Sequence, residues 1–284
     1  MKKDISYGFI GAGNMAKTLI RGLLASDTPT PSIIASTATS TSCEQLVSTF
    51  AIDSSRDNNA CLQADVIILA VKPQSLPDVL SNIDIPTLAS KLIITVIAGI
   101  PCRYYQQHIG TSIHLIRSMP NMPAMIGLGM TALYATNCCG EERLLAERLM
   151  ASVGKTLWLE DEAGIDYATA ISGSGPAYFY QFMHHLAQAG QGLGLPYQTA
   201  LQLVIQTGIG ATQLAEQRQN GSDNCIASLL CQVTSKGGTT MEAMRSFAKN
   251  DFAATIEQAV NACYQRAMTL SKPSNQTQKS DEKP

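Results

Sequence analysis

Tyr7-Gly8-Phe9-Ile10-Gly11-Ala12-Gly13-Asn14-Met15-Ala16 decides the fold of the N-terminal half. Tyr7 to Ile10 is a short apolar run of the kind that forms a buried strand, and the spacing of apolar residues from Met15 to Leu24 predicts a helix. Between them stands the pattern G-x-G-x-x-A. Gly11 permits a tight turn, Gly13 lets the backbone approach a pyrophosphate, and Ala16 allows helix and strand to pack closely. The N–H groups opening the helix face the anion. A strand, a glycine turn and a helix in that order read as the first unit of a dinucleotide-binding domain.

Working outward, Ser32 to Ala35, Val66 to Val71, Leu92 to Val96 and Ile113 to Ile116 are further short, uninterrupted apolar runs. Strands covered on both faces have this grammar. Helical stretches separate them, Glu141 to Ser152 reads as one more helix, and Lys155 to Leu159 as a last strand. The alternation predicts a doubly wound parallel sheet of Rossmann type over residues 1–160. After Glu160 the pattern becomes helical. Phe179, Phe182, Met183, Leu186, Ala187 and Leu193 share one helical face behind Pro176, which suits a first turn. Ala200, Leu203, Val204, Ala211 and Leu214 face inward on a second helix opened by Pro196, and a third, starting near Asp251, carries Phe252, Ile256, Val260, Cys263 and Leu270. Gly208 and Gly210 cost helix stability, which close approach by another helix, including one from a second subunit, would justify. The fold class is therefore α/β plus all-α, with a helical domain over 161–271 and a polar, disordered tail over 272–284.

Bulk properties exclude several classes. In 284 residues, 45% are hydrophobic and only 15% charged, so the chain carries a packed core. A formal net charge of -2 and the lack of a Lys/Arg cluster argue against nucleic acid as partner. The longest apolar runs are too short to span a bilayer, and the N-terminus lacks the pattern of a secretory signal. A cytoplasmic location with no membrane partner is expected. The eight cysteines are scattered, without C-x-x-C or Cys/His spacing, so neither disulfides nor a metal site is expected.

The end of the second strand bears on which dinucleotide binds. An Asp or Glu there would hold the ribose 2′-OH of NAD. The chain instead reads Ser36-Thr37-Ala38-Thr39-Ser40-Thr41-Ser42, with no acid before Glu44 and no Arg or Lys in the loop. Hydroxyls and backbone N–H groups can donate to a 2′-phosphate that a carboxylate would repel, which favours NADP, with NADPH preferred over NADH. Lys72 follows Val66 to Val71 at the ligand-binding edge of such a sheet, held extended by Pro73. Ile97-Ala98-Gly99 occupies the equivalent place after the next strand.

Several stretches together resemble the pyrroline-5-carboxylate reductases. They are Gly8 to Ala16, Ala70-Val71-Lys72-Pro73, Arg117-Ser118-Met119-Pro120-Asn121-Met122-Pro123-Ala124, Ile171-Ser172-Gly173-Ser174-Gly175-Pro176-Ala177-Tyr178 and Val233-Thr234-Ser235-Lys236-Gly237-Gly238-Thr239-Thr240. They occur in order and cover the chain to about Leu270; the last two are the specific ones. The resemblance implies a Rossmann domain followed by a helical dimerisation and substrate domain, as a homodimer or a higher homo-oligomer. It implies that Gly11, Ala12, Gly13, Asn14, Met15, Thr37, Asn58, Ala70, Val71, Lys72, Pro73, Ile97 and Ala98 contact NADP. It further implies that Asp223, Ser235, Gly238, Thr239 and Thr240 hold the substrate, with Thr240 in the catalytic role. The residues around Thr240 agree on physical grounds. Two glycines and two threonines ahead of a helix beginning near Met241 form a nest of N–H groups and hydroxyls suited to a carboxylate; a plain helix cap is the other reading of the same residues. Three positions depart from the family pattern: Lys236 for the usual proline, His184 for a common acid and Met122 for a threonine. For His184 and His185 a core or interface role is expected rather than catalysis.

The implied reaction is hydride transfer from NADPH to the imine carbon of 1-pyrroline-5-carboxylate, giving L-proline. Little acid–base machinery is required of the protein, because a protonated imine is already electrophilic, and orientation contributes most. Two alternatives stand beside it. One is a dehydrogenase of β-hydroxyacid type, for which Lys236 is the only candidate catalytic lysine near a glycine-rich motif in the helical half. The other is a non-catalytic NADP-binding relative.

Overall fold

The computed structural model describes residues 5–26, 32–219 and 225–270. They form two compact units, one running to Ser174 and resuming at Cys263, the other spanning Gly175–Ala262. The first is built on eight strands, β1 (Tyr7–Ile10), β2 (Ile33–Ser36), β3 (Asp53–Ser55), β4 (Val66–Leu69), β5 (Leu92–Thr95), β6 (His114–Met119), β7 (Gly129–Thr136) and β8 (Gly154–Trp158). Its helices are α1 (Asn14–Ala25), α2 (Ser40–Phe50), α3 (Leu76–Ser81), α4 (Ile85–Ala89), α5 (Cys102–His108), α6 (Gly140–Ala151) and α7 (Ala163–Ala168).

The strands form one sheet in the order β3-β2-β1-β4-β5-β6-β7-β8. The first six places are the 3-2-1-4-5-6 order of doubly wound dinucleotide-binding sheets. Alternation along the strands explains why both faces are dry. Phe9, Val66, Ile68, Leu92 and Ile94 lie in one apolar core, while Ile10, Ile67, Leu69 and Ile93 lie in the core on the opposite face.

Two strands were not anticipated. β3 is a three-residue polar segment that pairs in parallel with β2 at the sheet edge, Ile34 opposite Asp53 and Ser36 opposite Ser55. β7 corrects the expectation of a wholly parallel sheet, because it runs antiparallel to β6, with Arg117 opposite Tyr134, before pairing in parallel with β8. The cause is the connection: residues 120–128 are too few for the helical crossover that a parallel return needs. The strand expected over Val66 to Val71 ends at Leu69.

The helical part comprises α8 (Gly175–Gly192), α9 (Tyr197–Arg218), α10 (Cys225–Val233), α11 (Thr239–Lys249) and α12 (Phe252–Leu270), whose last turns belong to the first unit. Here the inward face expected on the helix opened by Pro196 needs correction. Among the described residues, only Ala187, Ala200 and Val204 form a buried cluster there, with Met183, Tyr197 and Leu201 packed against it. Phe179, Phe182, Leu186, Leu193, Leu203, Leu214, Phe252, Ile256 and Leu270 are exposed on the single chain. Ala211 is exposed as well. The tail expected over 272–284 lies outside the described residues.

Candidate active site

All the residues expected at the dinucleotide lie at the C-terminal edge of the strands in the first unit. Gly11 leaves β1 with φ +93°, and a side chain there would strike the Ala70 carbonyl oxygen at 2.8 Å, so only glycine makes this turn. Its N–H donates to the Ser36 carbonyl at 3.1 Å, and the Ala70 N–H donates to the Ile10 carbonyl at 2.9 Å, so β1, β2 and β4 end in register. Gly13 is the N-cap of α1 with nothing within 4 Å of where a Cβ would sit. That open space is the clearance a pyrophosphate needs over the free N–H groups of Asn14 and Met15, and no acidic residue stands in the first turn to oppose it. Ala12 completes the turn, and buried Ala16 lets α1 lie close to the sheet.

Beside this cradle, Lys72 is extended (φ -66°, ψ 147°) and exposed, and Pro73 opens a 3-10 turn. Val71 is half-buried, its side chain close against Gly11. Ile97 and Ala98 follow β5, the Ile97 N–H fixed by the Thr95 hydroxyl at 3.2 Å. Thr37 follows β2, its N–H donating to the Ser55 carbonyl at 3.0 Å. Asn58 opens the 3-10 turn after β3, and the buried Ser36 hydroxyl donates to its Oδ1 at 2.7 Å. Thr39 is spent locally, capping α2 by accepting from the Ser42 N–H at 3.2 Å. The residues present thus fit a bound dinucleotide.

An ion-pair group centred on β6, where Arg117 lies opposite Thr95, escaped the sequence reading. Arg117 is 2% exposed on β6; its Nη1 donates to Glu162 Oε1 at 2.8 Å and its Nη2 to Asp166 Oδ1 at 2.7 Å. The Cys102 N–H also donates to Glu162 Oε1, at 2.6 Å. Burial raises the Cys102 thiol well above its ordinary range, and the Glu162 carboxylate adds to this, so it stays protonated. Burial likewise holds the Tyr105 phenol, hydrogen-bonded to Thr95 at 2.7 Å, in its neutral form. Asn121 ties the same region together. Its Nδ2 donates to the Ser172 carbonyl at 3.0 Å and its Oδ1 accepts from the Met130 N–H at 2.9 Å. Ser172 sits in a π-turn, Thr169–Gly173, closed by the Ser174 N–H on the Thr169 carbonyl at 2.9 Å.

The substrate residues expected in the helical half belong to the other unit. Ser235, Lys236 and Gly237 form an exposed turn, Gly237 at φ +76°, closed by the Gly238 N–H on the Ser235 carbonyl at 3.1 Å. The helix begins at Thr239, two residues earlier than expected, with Gly238 as N-cap. A glycine cap has no side chain, so the N–H groups of Thr239 and Thr240 in the first turn await an external acceptor. Among the described residues the Thr240 hydroxyl has no hydrogen-bond partner, so it does not cap α11. Asp223 lies outside the described residues. His184 and His185 are exposed on α8; His185 bonds Gln181 and Gln188, each at 2.9 Å, within its own helix.

A pyrroline-5-carboxylate reductase of Pseudomonas aeruginosa is 42% identical over 264 residues, covering 92% of this chain and 95% of that protein. The chain belongs to the pyrroline-5-carboxylate reductase family. Residues 162–270 match the family described as pyrroline-5-carboxylate reductase dimerisation, and residues 6–99 match NADP oxidoreductase coenzyme F420-dependent. A solved pyrroline-5-carboxylate reductase from Coxiella burnetii superposes with a TM-score of 0.87 at 31% identity, over 95% of this chain and 100% of that one. A Plasmodium falciparum pyrroline carboxylate reductase, solved with NADP bound, gives 0.83 at 27% identity over 95% and 99%. The span of the dimerisation match opens at Glu162, the partner of Arg117, so that ion pair joins the sheet to the first residues of the span.

Proposed function

We propose that this chain is an NADP-dependent oxidoreductase that reduces 1-pyrroline-5-carboxylate to L-proline, the closing step of proline biosynthesis, as a homodimer or a larger homo-oligomer. The observation that carries the reading is the full-length relationship to enzymes of that activity in a chain that keeps both the glycine cradle and the Gly238-Thr239-Thr240 helix start. When bound, the reduced nicotinamide supplies the hydride that the imine carbon accepts. The chain's own residues bind and orient. Gly11, Ala12, Gly13, Asn14 and Met15 receive the pyrophosphate; Thr37 and Asn58 take the adenosine end; Ala70 to Pro73 and Ile97-Ala98 line the remaining rim. Gly238 and the N–H groups of Thr239 and Thr240 hold the substrate carboxylate, helped by the positive end of α11. The Thr240 hydroxyl, free of other duties, steers the ring nitrogen as it takes its proton. Ser235 keeps the turn closed, and Asp223 accepts from the ring N–H.

In this reading residues 1–160 carry the cofactor and residues 161–271 the dimer contacts and substrate. NADPH is preferred over NADH because no carboxylate follows β2. The cytoplasm is the proposed location, where thiols such as those of Cys139 and Cys231 stay reduced. Mixing the protein with NADPH and pyrroline-5-carboxylate should give loss of nicotinamide absorbance matched by proline formation. No turnover from a folded protein that binds NADPH would point to the non-catalytic relative. Turnover of β-hydroxyacids, abolished by Lys236→Ala, would point to the other dehydrogenase.

A further inference from the structure

We propose that Arg56 is the residue that selects a 2′-phosphorylated cofactor, by pairing with the 2′-phosphate beside Thr37; the assignment rests on the NADPH reading above. The loop after β2 offers hydroxyls but no cation from Ser36 to Ser42, so by itself it tolerates the phosphate without attracting it. Strand β3 supplies what is missing. Ser36 lies opposite Ser55 in parallel register, and the Thr37 N–H donates to the Ser55 carbonyl at 3.0 Å. The chain therefore leaves β2 at Thr37 and β3 at Arg56 side by side on the ligand-binding edge, about 4.8 Å apart, well within the reach of an arginine side chain.

Both flanks of Arg56 are anchored. Ser55 Oγ accepts from the Asp57 N–H at 3.0 Å, and Asn58 is held by the buried Ser36 hydroxyl at 2.7 Å. Between these anchors Arg56 is exposed, with no ion pair or hydrogen bond among the described residues. Its acidic neighbour is occupied, because Asp57 Oδ1 accepts from the Asn59 N–H at 2.9 Å and from Asn59 Nδ2 at 3.0 Å. The first turn of α2 contains no acid to compete for the guanidinium. An arginine near the end of the second strand is the usual means of accommodating a 2′-phosphate, and its planar fork matches phosphate oxygens. Here the third strand delivers it.

The test is equilibrium binding by calorimetry to the full-length protein, wild type, Arg56→Ala and Arg56→Lys, with NADP+, NAD+ and 2′,5′-ADP as ligands. Arg56→Ala should weaken NADP+ and 2′,5′-ADP by about tenfold while NAD+ changes by less than about twofold, with Arg56→Lys between. The loss should shrink as salt is raised, as an exposed charge pair requires. Equal weakening of NADP+ and NAD+ would place Arg56 on the adenine or pyrophosphate and overturn the assignment, as would unchanged NADP+ affinity in Arg56→Ala. The two failures are distinguishable: a wild type that binds NAD+ as well as NADP+ refutes the cofactor preference itself. A wild type that prefers NADP+ through a residue other than Arg56 refutes only this inference.

Discussion

Replacing Arg117 by methionine should destabilise the protein strongly, through the buried charges it leaves unpaired. The side chain is 2% exposed, and its two carboxylate partners are unequal: Asp166 is 10% exposed and Glu162 is 29% exposed. Methionine fills much of the arginine's volume, so the main cost is the charge left behind. Removing one partner of a buried ion pair costs about 3–5 kcal/mol. The lower part of that range applies here, because Glu162 reaches water and keeps its bond to the Cys102 N–H. Asp166 has no such relief. At about 2–4 °C per kcal/mol for a chain of this size, the melting temperature should fall by roughly 6–12 °C. Asp166→Asn in the Arg117→Met background should recover part of the loss, since an amide needs no counter-charge. Melting curves must be compared at one protomer concentration, because dimerisation shifts the midpoint. A midpoint within about 2 °C of wild type for Arg117→Met would refute the reasoning, showing that water already compensates the carboxylates.

Thr240→Ala should leave the melting temperature and NADPH affinity near wild type, because Gly238 is the N-cap, yet lower kcat/KM roughly ten- to hundredfold, with Thr240→Ser keeping much of the activity. Full activity in a folded Thr240→Ala protein would leave the backbone N–H groups as the carboxylate's only holders. Burial raises the Cys61 thiol from 9.0 to about 11, so the folded state keeps a proton that the unfolded chain gives up. Its contribution to stability is complete below about pH 9 and is lost as pH rises toward about 11; the denaturation midpoint should therefore drop between about pH 9 and about pH 11, and drop less in Cys61→Ala. An identical drop in that variant would clear Cys61 of the effect.

What the sequence made legible was whatever is encoded locally. β1, β4 and β5 are covered on both faces, so each is an unbroken apolar run. The cradle is one strand, two glycines and one helix in succession, and Pro73 fixes Lys72 without outside help. Asp53-Ser54-Ser55 has no such signature: it becomes β3 only because β2 offers an open edge, and with β3 unseen the place of Arg56 is unseen too. β7 was hidden because GMTALYAT has no clear period, although the short 120–128 connection already forbids a parallel return. Arg117, Glu162 and Asp166 lie 45 and 49 residues apart, and nothing in one sequence pairs them. Thr239 and Thr240 were legible as a helix start, but that Gly238 takes the cap and leaves the Thr240 hydroxyl free is a matter of geometry.

The helical faces read as inward were legible as apolar but not as to what covers them, and this leads to a last prediction. α8 and α9 approach closely where Gly190 faces Ala200, a Cβ at Gly190 falling 3.0 Å from that of Ala200, and this contact buries little besides alanine. Phe179, Phe182 and Leu186 remain as an exposed stripe at helical spacing on α8, Leu203 and Leu214 are exposed on α9, and Ile226, Leu230 and Val233 repeat the pattern on α10. Gly210 has open space beside it, room for another helix. A unit of this composition is poorly stable alone, and its match to a dimerisation family leads to the expectation that a second chain covers the stripe. Half-exposed side chains of this size each gain about 1 kcal/mol on full burial, so the eight named contribute on the order of 8 kcal/mol per chain as an upper bound. Phe182→Lys at the centre of the stripe removes one such gain and places an unpaired charge in the contact, costing at least about 2 kcal/mol per chain. In a two-fold dimer each change acts twice, so dissociation should strengthen by about a thousandfold. Sedimentation velocity across a dilution series reads this directly, with Leu144→Lys on α6, exposed but outside the helical unit, as the control that should not shift. A Phe182→Lys protein that stays dimeric to the same dilution as wild type would show that the partner chain rests on another face.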